Sequence, residues 1–532
     1  MAAVRETVTS WQTLERECIG RWYGVVAETN HERRMVLIMV PHDVLRQICL
    51  WLSGEVGLSF VTLIAAEESD RWHLTYVFLD TKDRGWVRVE YTQPLELMVV
   101  PSISDEIHAA DWHEREVEDL FGLSFEGHPK LGDFVLHEDW PEGMNPMRKH
   151  YQGRHMPHLK ERSVSWQPRT IVEAPGAFAM PIGPVYSDFA ESAHFTIETT
   201  GEDMIRVLPR FFYKYRGVEK LAEGRSAEDA LLLAERFSGD SAFAHGWAYC
   251  RAVEAIAGIT VPHRAEALRT VFAELERLRQ HIAVITGLCG STGLWVSQAQ
   301  SALLEEELLR LTCDVCGHRY LFGVLRLGGL ARDVGDLELR ELSDDLSLLR
   351  TRIERLQADL RFSSSFLDRI EEVGFISHKV VKAFGLVGPV ARASGGDTDV
   401  RKLFRYGIYE RLKFEVPVEE EGDGYARLRV LFREAFQSID IIDQVMNTLP
   451  PGGVCRPFKP KAGVELGYTE APLGATFHWV RLREDGKVER YRIATPSYRN
   501  WHAFRVAVEH YSFQDFPIIL ATFGLSQAES DR

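Results

Sequence analysis

Residues 266–288 have the sequence EALRTVFAELERLRQHIAVITGL. Their apolar side chains recur at steps of three and four, which predicts an α helix with one buried face. That face consists of Leu268, Val271, Phe272, Leu275, Leu278, Ile282 and Ile285. Residues 339–360 repeat the pattern, with leucine or isoleucine at 339, 342, 346, 349, 353, 356 and 360. A lone coiled coil could produce this second seam, but a long chain favours a central helix of a bundle.

The N-terminal part has a different pattern, made of short strand-like runs. Four β-branched and aromatic runs, at 34–40, 57–65, 72–79 and 86–91, are separated by polar or glycine-containing breaks. A helix is expected between the first two runs, at 42–53. Near the C-terminus, residues 476–482 and 488–493 flank Glu484-Asp485-Gly486, which is typical of a β-hairpin turn. The whole chain is therefore predicted to be α+β.

Three segments are expected along the chain. A small α+β domain covers 1–151, and a large, mainly helical domain with a C-terminal hairpin covers 183–532. The intervening residues 152–182 contain several prolines and basic residues without clear periodicity, which is typical of a linker or an extended arm.

Composition restricts the function. The chain has 532 residues and a net charge of −16, which argues against nucleic acid as a partner. Its longest apolar runs are about ten residues, whereas a membrane span needs roughly 20, and the N-terminus lacks an apolar signal core. We therefore expect any membrane association to go through partner subunits. The seven scattered cysteines are typical of reduced thiols rather than of a disulfide framework.

Residues 114–129, EREVEDLFGLSFEGHP, resemble the signature of the C-type component of respiratory complex I and of energy-converting hydrogenases. Gly132 departs from the family, which has a basic residue there. Further landmarks resemble the D-type component of complex I and the large subunit of formate hydrogenlyase; they lie at 181–184, 215–220, 258–265, 274–277, 470–472 and 515–517. The resemblance implies a fused C/D-type chain of complex I, with a C-type domain followed by a domain like the large subunit of [NiFe]-hydrogenases.

Two segments resemble the nickel-binding motifs of that large subunit, R-x-C-G-x-C and D-P-C-x-x-C-T-x-R. Here they read RFSGDS at 236–241 and GLSQAESDR at 524–532. The four cysteine positions are occupied by Ser238, Ser241, Ser526 and Glu529. Nickel in these enzymes needs soft thiolates, whereas hydroxyl and carboxylate oxygens are hard ligands. We expect no nickel and no other cofactor in this chain, and no nickel-dependent maturation, since the chain ends at Arg532 where a mature family member would end.

The resemblance also implies a quinone site and a cluster-facing side. At the quinone site, Tyr186 stands at the family histidine and Ser291 at its aspartate, and the family tyrosine falls in 223–227, which has none. Complex-I-type quinone reduction is therefore not expected. Arg216 and His281 match family residues beside the [4Fe–4S] cluster of the neighbouring small subunit, where a cation and an imidazole raise its potential.

Simpler interpretations of both residues stay open. His281 lies three and four residues from Leu278 and Ile285, so it could be a core histidine, and Arg216 could pair with Glu191.

The Cys313-x-x-Cys316 pair is a weak metal signal, because zinc sites usually need a second pair and the segment 303–320 is predicted to be helical.

The leading hypothesis is a subunit of a membrane-attached, complex-I-like or formate-hydrogenlyase-like oxidoreductase complex. It would dock an iron–sulfur small subunit and link a formate- or NADH-type input module to ion-translocating membrane subunits, on the cytoplasmic side of the cell membrane. Two alternatives remain. One is an active NADH- or formate-linked quinone oxidoreductase subunit with a rearranged quinone site, or with a harder metal at Asp240 and Glu529. The other is a non-redox scaffold for ion or bicarbonate handling.

Overall fold

A computed structural model of the protein describes residues 11–82, 85–132, 134–151, 172, 175–185, 191–404 and 406–532. The chain divides into two compact units. The first contains the described residues up to 151 together with Lys382–Gly385, and the second contains the other described residues. Among the helices described, none has both the length and the apolar composition needed to cross a membrane.

The first unit is an α+β domain. Its elements are α1 (Trp11–Arg21), β1 (Val26–Asn30), β2 (Met35–Val40), α2 (His42–Trp51), β3 (Ser59–Glu67), β4 (Arg71–Asp80), β5 (Gly85–Pro94), β6 (Val99–Pro101), α3 (Asp111–Phe121) and β7 (Ser124–Glu126). A π-helical turn, Leu52–Val56, extends α2, and a 3₁₀ turn, His108–Ala110, precedes α3.

Five of these strands form one sheet in the order β1-β2-β5-β4-β3. The β2–β5 pair is parallel and the other three pairs are antiparallel. Strand β3 is buried at seven consecutive positions, because both of its faces are covered. The four strands and the helix predicted between 34 and 91 are thereby confirmed as β2 to β5 and α2.

The signature at 114–129 organises the backbone around α3. Glu114 is fully buried, and its carboxylate accepts the Ile103 N–H at 2.8 Å and the Ser102 hydroxyl at 2.5 Å. Burial raises the pKa of Glu114 to about 7. One oxygen of Asp119 accepts three consecutive N–H groups, those of Phe134, Val135 and Leu136, at 3.0, 2.7 and 3.0 Å. These two signature carboxylates therefore have a structural role in this chain.

Gly132 lies in the same region. Its φ of +81° is in the left-handed region that favours glycine. Its carbonyl accepts a hydrogen bond from Arg115 at 3.1 Å, and its N–H donates to Glu118 at 2.7 Å. A basic side chain at this position would strain the turn that these two bonds hold.

The second unit is larger and mainly helical. Its strands are β8 (Ala177–Ile182), β9 (His194–Thr200), β10 (Asp203–Arg210), β11 (Leu325–Arg326), β12 (Gly329–Leu330), β13 (Gly463–Ala471), β14 (Gly474–Leu482) and β15 (Val488–Ala494). Its helices are α4 (Val218–Ala222), α5 (Ala227–Ala234), α6 (Ala242–Ala257), α7 (His263–Ser291), α8 (Trp295–Cys316), α9 (Asp336–Arg361), α10 (Ser364–Ile370), α11 (His378–Phe384), α12 (Gly388–Arg392), α13 (Val400–Leu403), α14 (Gly424–Asn447), α15 (Pro496–Ala507), α16 (Phe516–Phe523) and α17 (Gln527–Asp531). The last residues of α11 belong to the segment assigned to the first unit.

Helix α7 is the centre of this unit. It packs against α6, α8, α14 and α16, and all seven apolar side chains of the predicted face are buried. The seven-residue seam of α9 is also buried, and α9 packs against α8 and α14. The interpretation of both stretches as bundle helices is confirmed.

The predicted hairpin is confirmed as β14 and β15, which pair antiparallel and form a three-stranded sheet with β13. Gly486 in the turn has φ +76°.

Most of the predicted linker lies outside the described residues. Its last six residues form β8, which pairs antiparallel with β9.

Candidate functional site

The two motif segments meet in the interior of the second unit. Residues 236–241 lead into α6, and the second motif ends in α17. The Glu529 carboxylate lies 3.2 Å from Nε2 of His245, and Ser526 hydrogen bonds to the Asp240 carboxylate. These contacts join two segments that are 284 residues apart along the chain, as measured between His245 and Glu529.

Glu529 is fully buried, and donors surround it. Its second carboxylate oxygen accepts the Ser497 N–H at 3.1 Å, and its backbone carbonyl accepts the Thr495 hydroxyl at 3.0 Å. Burial acts to raise the pKa of Glu529, but the hydrogen bond and charge of His245 outweigh it and hold that pKa below its usual value. Glu529 is therefore ionised at neutral pH and can only accept hydrogen bonds.

A chain of buried hydrogen bonds runs inward from Glu529. Nδ1 of His245 lies 3.0 Å from Nε2 of His478, and Nδ1 of His478 lies 2.5 Å from the Tyr491 hydroxyl. Burial lowers the pKa of His478 far below its usual value, so its ring is neutral. Because an ionised Glu529 can only accept, His245 donates to it through Nε2–H.

The three serines differ in how they are bonded. Ser526 caps α17, because its hydroxyl oxygen accepts the Glu529 N–H at 3.4 Å. Ser238 and Ser241 are buried, and within the described part of the chain neither hydroxyl has a hydrogen-bond partner. The four predicted positions thus hold three hydroxyls and one carboxylate.

Asp240, whose carboxylate bonds to Ser526, is half-buried. Burial of the Asp240 carboxyl raises its pKa above the usual value, although the Ser526 hydrogen bond and the charge of Arg279 act to lower it. Arg279 donates to the backbone carbonyls of Gly239 and Asp240 at 2.9 and 3.3 Å, which fixes this loop. Across the described ranges, no three His, Cys, Asp or Glu side chains are grouped so that they could hold a metal ion.

A second buried cluster surrounds His281. Nε2 of His281 lies 2.9 Å from Oε2 of Glu434, and Nε of Arg392 donates to Oε1 of the same carboxylate at 2.6 Å. Arg392 also donates to Glu470 at 2.8 Å. All four side chains are at most 2% exposed.

The cluster continues through two further arginines. Arg401 donates to Asp399 at 2.7 Å and to Glu274 at 3.1 Å, and Arg277 donates to Glu274 at 3.2 Å and to the Glu470 carbonyl at 2.6 Å. Each of these side chains is buried. We call the set Arg277, Arg392, Arg401, Glu274, Asp399, Glu434 and Glu470 the charge network. The network contains three guanidiniums and four carboxylates. They pair with one another, because a buried charge without a partner is costly.

The two residues predicted to face a cluster have different exposure. The Arg216 side chain is 33% exposed and pairs with Glu191 at 2.9 Å, which confirms the predicted pairing. Lys214 bonds to the same carboxylate at 3.2 Å. His281 is fully buried, as are Leu278 and Ile285, so its place on a core face is confirmed. A position of either residue beside a cluster stays a prediction.

The remaining predicted positions do not form a site in the described structure. Ser291, the last residue of α7, donates to the Leu288 carbonyl at 2.9 Å. Tyr186 lies outside the described residues. Cys316 contacts the His318 carbonyl at 3.1 Å, and burial raises its pKa to about 11, as is usual for an inert structural thiol.

The sequence matches three family models. Residues 38–156 match the 30 Kd subunit of respiratory-chain NADH dehydrogenase, and residues 300–464 match its 49 Kd subunit. Residues 216–291 match the nickel-dependent hydrogenases. The chain thus joins a region similar to the 30 Kd subunit of respiratory-chain NADH dehydrogenase to regions similar to the nickel-dependent hydrogenases and to the 49 Kd subunit.

Proteins with both kinds of region align over most of the chain. Formate hydrogenlyase subunit 5 of Escherichia coli K12 is 29% identical over 86% of this chain and 82% of its own. The fused C/D component of the NADH-quinone oxidoreductase of Acinetobacter baumannii AYE is 28% identical over 86% and 84%. A chain of the membrane-bound sulfane sulfur reductase, an archaeal respiratory membrane complex, superposes with a TM-score of 0.64 at 27% identity, covering 67% of this chain and 99% of that one.

Sequence reasoning missed several residues of both clusters, namely His478, Tyr491, Arg392 and Glu434. A signal for Glu434 exists in the sequence of α14. Glu434 stands four residues after Val430 and four residues before Ser438, and both of these neighbours are buried on the same face of the helix. A charged residue at a position with this spacing indicates a buried, paired group rather than a solvated one.

Proposed function

We propose that this chain is a scaffold subunit of a membrane-bound, complex-I-like oxidoreductase complex, in which it docks an iron–sulfur protein and holds no nickel. Its relatives support the first part, because they are named as components of formate hydrogenlyase, hydrogenase-4 and NADH-quinone oxidoreductase. The structural neighbour belongs to a respiratory membrane complex. In such a complex, the chain would be attached to the membrane through other subunits.

One observation supports the absence of nickel most strongly: Glu529 occupies a predicted ligand position, and both of its carboxylate oxygens already accept hydrogen bonds. Its two carboxylate oxygens accept from His245 and from the Ser497 N–H. The other three positions carry hydroxyls, which stay protonated at neutral pH and bind nickel poorly compared with thiolates. The donors present do not fit a thiolate nickel centre, and the hydrogen-bonded pair of Glu529 and His245 joins the two motif segments instead.

Retained charge around α7 supports the docking of an iron–sulfur protein. Arg216 is accessible from solvent, and His281 is bonded to Glu434 of the charge network. A cation and a titratable imidazole close to a cluster would raise its potential and couple its reduction to protonation. We place the cluster in the docked small subunit, with a formate- or NADH-type module supplying electrons and ion-translocating subunits in the membrane.

Purification of the tagged chain from mildly solubilised membranes tests this function. The expected result is a stable complex that contains an iron–sulfur protein, gives a reduced-cluster EPR signal and includes membrane subunits. A chain that elutes alone as a monomer, with no iron–sulfur partner under any mild detergent, would overturn the proposal.

A further inference from the structure

A basic segment, residues 448–462, joins α14 to β13 along the surface of the second unit. Its sequence is TLPPGGVCRPFKPKA, which contains three cations and no acidic residue. None of these fifteen residues is buried. The whole chain carries a net charge of −16, so this segment is opposite in sign to the protein as a whole. We call residues 448–462 the basic connector.

The backbone of the basic connector is fixed although its side chains are not buried. The Arg456 N–H donates to the Gly328 carbonyl at 3.0 Å, and the Val454 carbonyl accepts the Leu330 N–H at 2.8 Å. A side chain at Gly329 would place its Cβ only 1.9 Å from the Val454 oxygen, so the two backbones approach more closely than any other residue would allow. Because its position is defined in advance, the basic connector loses less entropy when it binds a partner.

The cations of the basic connector are available to another molecule. They are the exposed side chains Arg456, Lys459 and Lys461. Within the described residues, none of the three forms an ion pair, and the same holds for the exposed Arg326. Arg326 lies close by, because it pairs with Gly329 in the β11–β12 ladder and Gly329 forms a β-bridge with Cys455. Two strand spacings, about 10 Å, separate the backbones of Arg326 and Cys455. We call these four cations the positive patch.

Neighbouring elements do not neutralise the positive patch. The β14–β15 turn packs on Pro460, and its two basic and two acidic residues, at 483–487, cancel one another. Arg264, which donates to the Pro450 carbonyl at 3.4 Å, pairs with Asp333 at 2.8 Å. The nearby carboxylate of Asp333 is therefore already engaged.

We propose that the positive patch is the docking surface for a partner subunit that presents an acidic protein face. This inference rests on the proposed function, in which the chain works inside a complex, and it adds a surface and the chemistry of its partner. Opposite charges across an interface speed association and favour the correct partner. The four prolines of the basic connector, at 450, 451, 457 and 460, have no backbone N–H to donate. Recognition by side chains is therefore favoured over addition of a strand.

An acidic protein face suits this patch better than a lipid bilayer or a nucleic acid does. Both of those are anionic over a wide area, and they would repel the rest of a chain whose net charge is −16. A protein partner can place its carboxylates only where the cations are. The half-buried Phe458 and the prolines beside it add apolar surface, which protein interfaces also bury.

Carbodiimide cross-linking of the purified complex tests the assignment, because this reagent joins a lysine amine to a carboxylate in direct contact. The expected product is an amide between Lys459 or Lys461 and an aspartate or glutamate of another subunit, identified by mass spectrometry of the digested complex. Cys455, which is exposed, is a second reporter. A maleimide should label it several-fold more slowly in the complex than in the chain separated from the complex by high salt.

Charge reversal tests the same surface through affinity. Lys459→Glu together with Lys461→Glu should weaken binding of the cross-linked subunit by at least about tenfold, because like charges then face each other. Substitution of the cross-linked aspartate or glutamate by lysine should restore binding to this variant. Neither lysine is buried, so the thermal unfolding midpoint should stay the same.

The matched control is Lys379→Glu together with Lys382→Glu. Both lysines are exposed on α11, and within the described residues neither forms an ion pair. This control changes the net charge by the same amount and should leave binding unchanged. An equal loss of binding in the control would show that net charge, rather than the positive patch, determines the affinity, and would overturn the inference.

Other outcomes separate this inference from the proposed function. A complex that contains the iron–sulfur protein, with Cys455 labelled freely and no cross-link from Lys459 or Lys461, would overturn the inference alone. Cross-links confined to other copies of this chain would overturn it in favour of self-association. Protection of Cys455 without any protein cross-link would also overturn it, and phosphatidylglycerol vesicles whose binding the charge reversal abolishes would then assign the patch to lipid. A chain that elutes alone would overturn the proposed function and this inference with it.

Discussion

The second unit contains two buried polar regions that are built in opposite ways. At the motif positions, one ionised carboxylate, Glu529, ends a chain of hydrogen bonds through His245, His478 and Tyr491, and Ser238 and Ser241 have no partner in the described structure. Around His281, three guanidiniums and four carboxylates of the charge network bond directly to one another. The first region holds three hydroxyls and one carboxylate at the four motif positions, whereas the second pairs its charged side chains with one another.

The two regions therefore differ in how their buried polar groups are partnered. Buried ion pairs cost desolvation, and removing one partner of such a pair is strongly destabilising. In the proposed function, the charge network belongs to the side that docks the iron–sulfur protein, whereas Glu529 joins the two motif segments.

The largest effect is expected from Arg392→Met in the charge network. The substitution leaves Glu434 without its closest cation and deprives Glu470 of a donor, and breaking a buried pair of this kind costs about 3–5 kcal/mol. Urea unfolding should show this loss or a failure to fold.

Arg350→Met is the control for that substitution. Arg350 pairs with Asp440 at 2.6 Å on the surface, with both side chains at least 34% exposed. Its loss should cost at most about 1 kcal/mol. Equal costs for the two substitutions would contradict the contrast between a buried network and surface pairs.

A smaller effect is expected from Glu529→Gln at the motif positions. The amide cannot accept from both His245 and the Ser497 N–H, so about 1–3 kcal/mol of stability should be lost at neutral pH. The folded-state pKa of Glu529 is lowered, so its contribution is present above the unfolded pKa and disappears as pH falls through the folded pKa.

Thermal unfolding at a series of pH values measures this dependence. The difference between the unaltered chain and Glu529→Gln should be largest above about pH 5 and should shrink below it. A difference that stays constant down to the lowest pH at which the chain folds would mean that Glu529 is not ionised in the folded state.

Ser526→Ala should have a still smaller effect. It removes the side chain that caps α17, and loss of such a cap typically costs about 1 kcal/mol. Chemical denaturation should detect it as a lower midpoint with an unchanged slope. Replacement by threonine, which can cap in the same way, should restore most of the stability.

The smallest effect is expected from Ser238→Ala. Its buried hydroxyl has no described partner, so removing it relieves an unsatisfied group and should change stability by no more than about 0.5 kcal/mol, or raise it. A loss larger than that of Ser526→Ala would show that Ser238 binds something in the native complex.

Periodicity predicted the framework of the fold. Helix α7, the seam of α9, strands β2 to β5 and the C-terminal hairpin follow from apolar spacing and turn residues, because burial of apolar side chains is a local property of the pattern. That Ser238, Ser241, Ser526 and Glu529 stand at nickel-ligand positions stays a prediction.

Periodicity could not predict how the buried polar groups pair. Glu434 is 42 residues from Arg392 along the chain, and Glu529 is 284 residues from His245, so no local pattern links the partners. A charged residue on a helix face is normally solvated, and only tertiary packing shows that Glu274 and Arg277 are buried on α7. The hydrogen bonds from Tyr491 to Glu529 depend on four elements meeting in space.

Metal analysis of the purified native complex tests the central claim most directly. Cells grown with ample nickel should yield a complex in which iron is present in proportion to the cluster of the docked protein, with nickel at the background level of the buffer. One nickel atom per chain, retained through chelation and gel filtration, would contradict the claim that Ser238, Ser241, Ser526 and Glu529 mark a site without nickel.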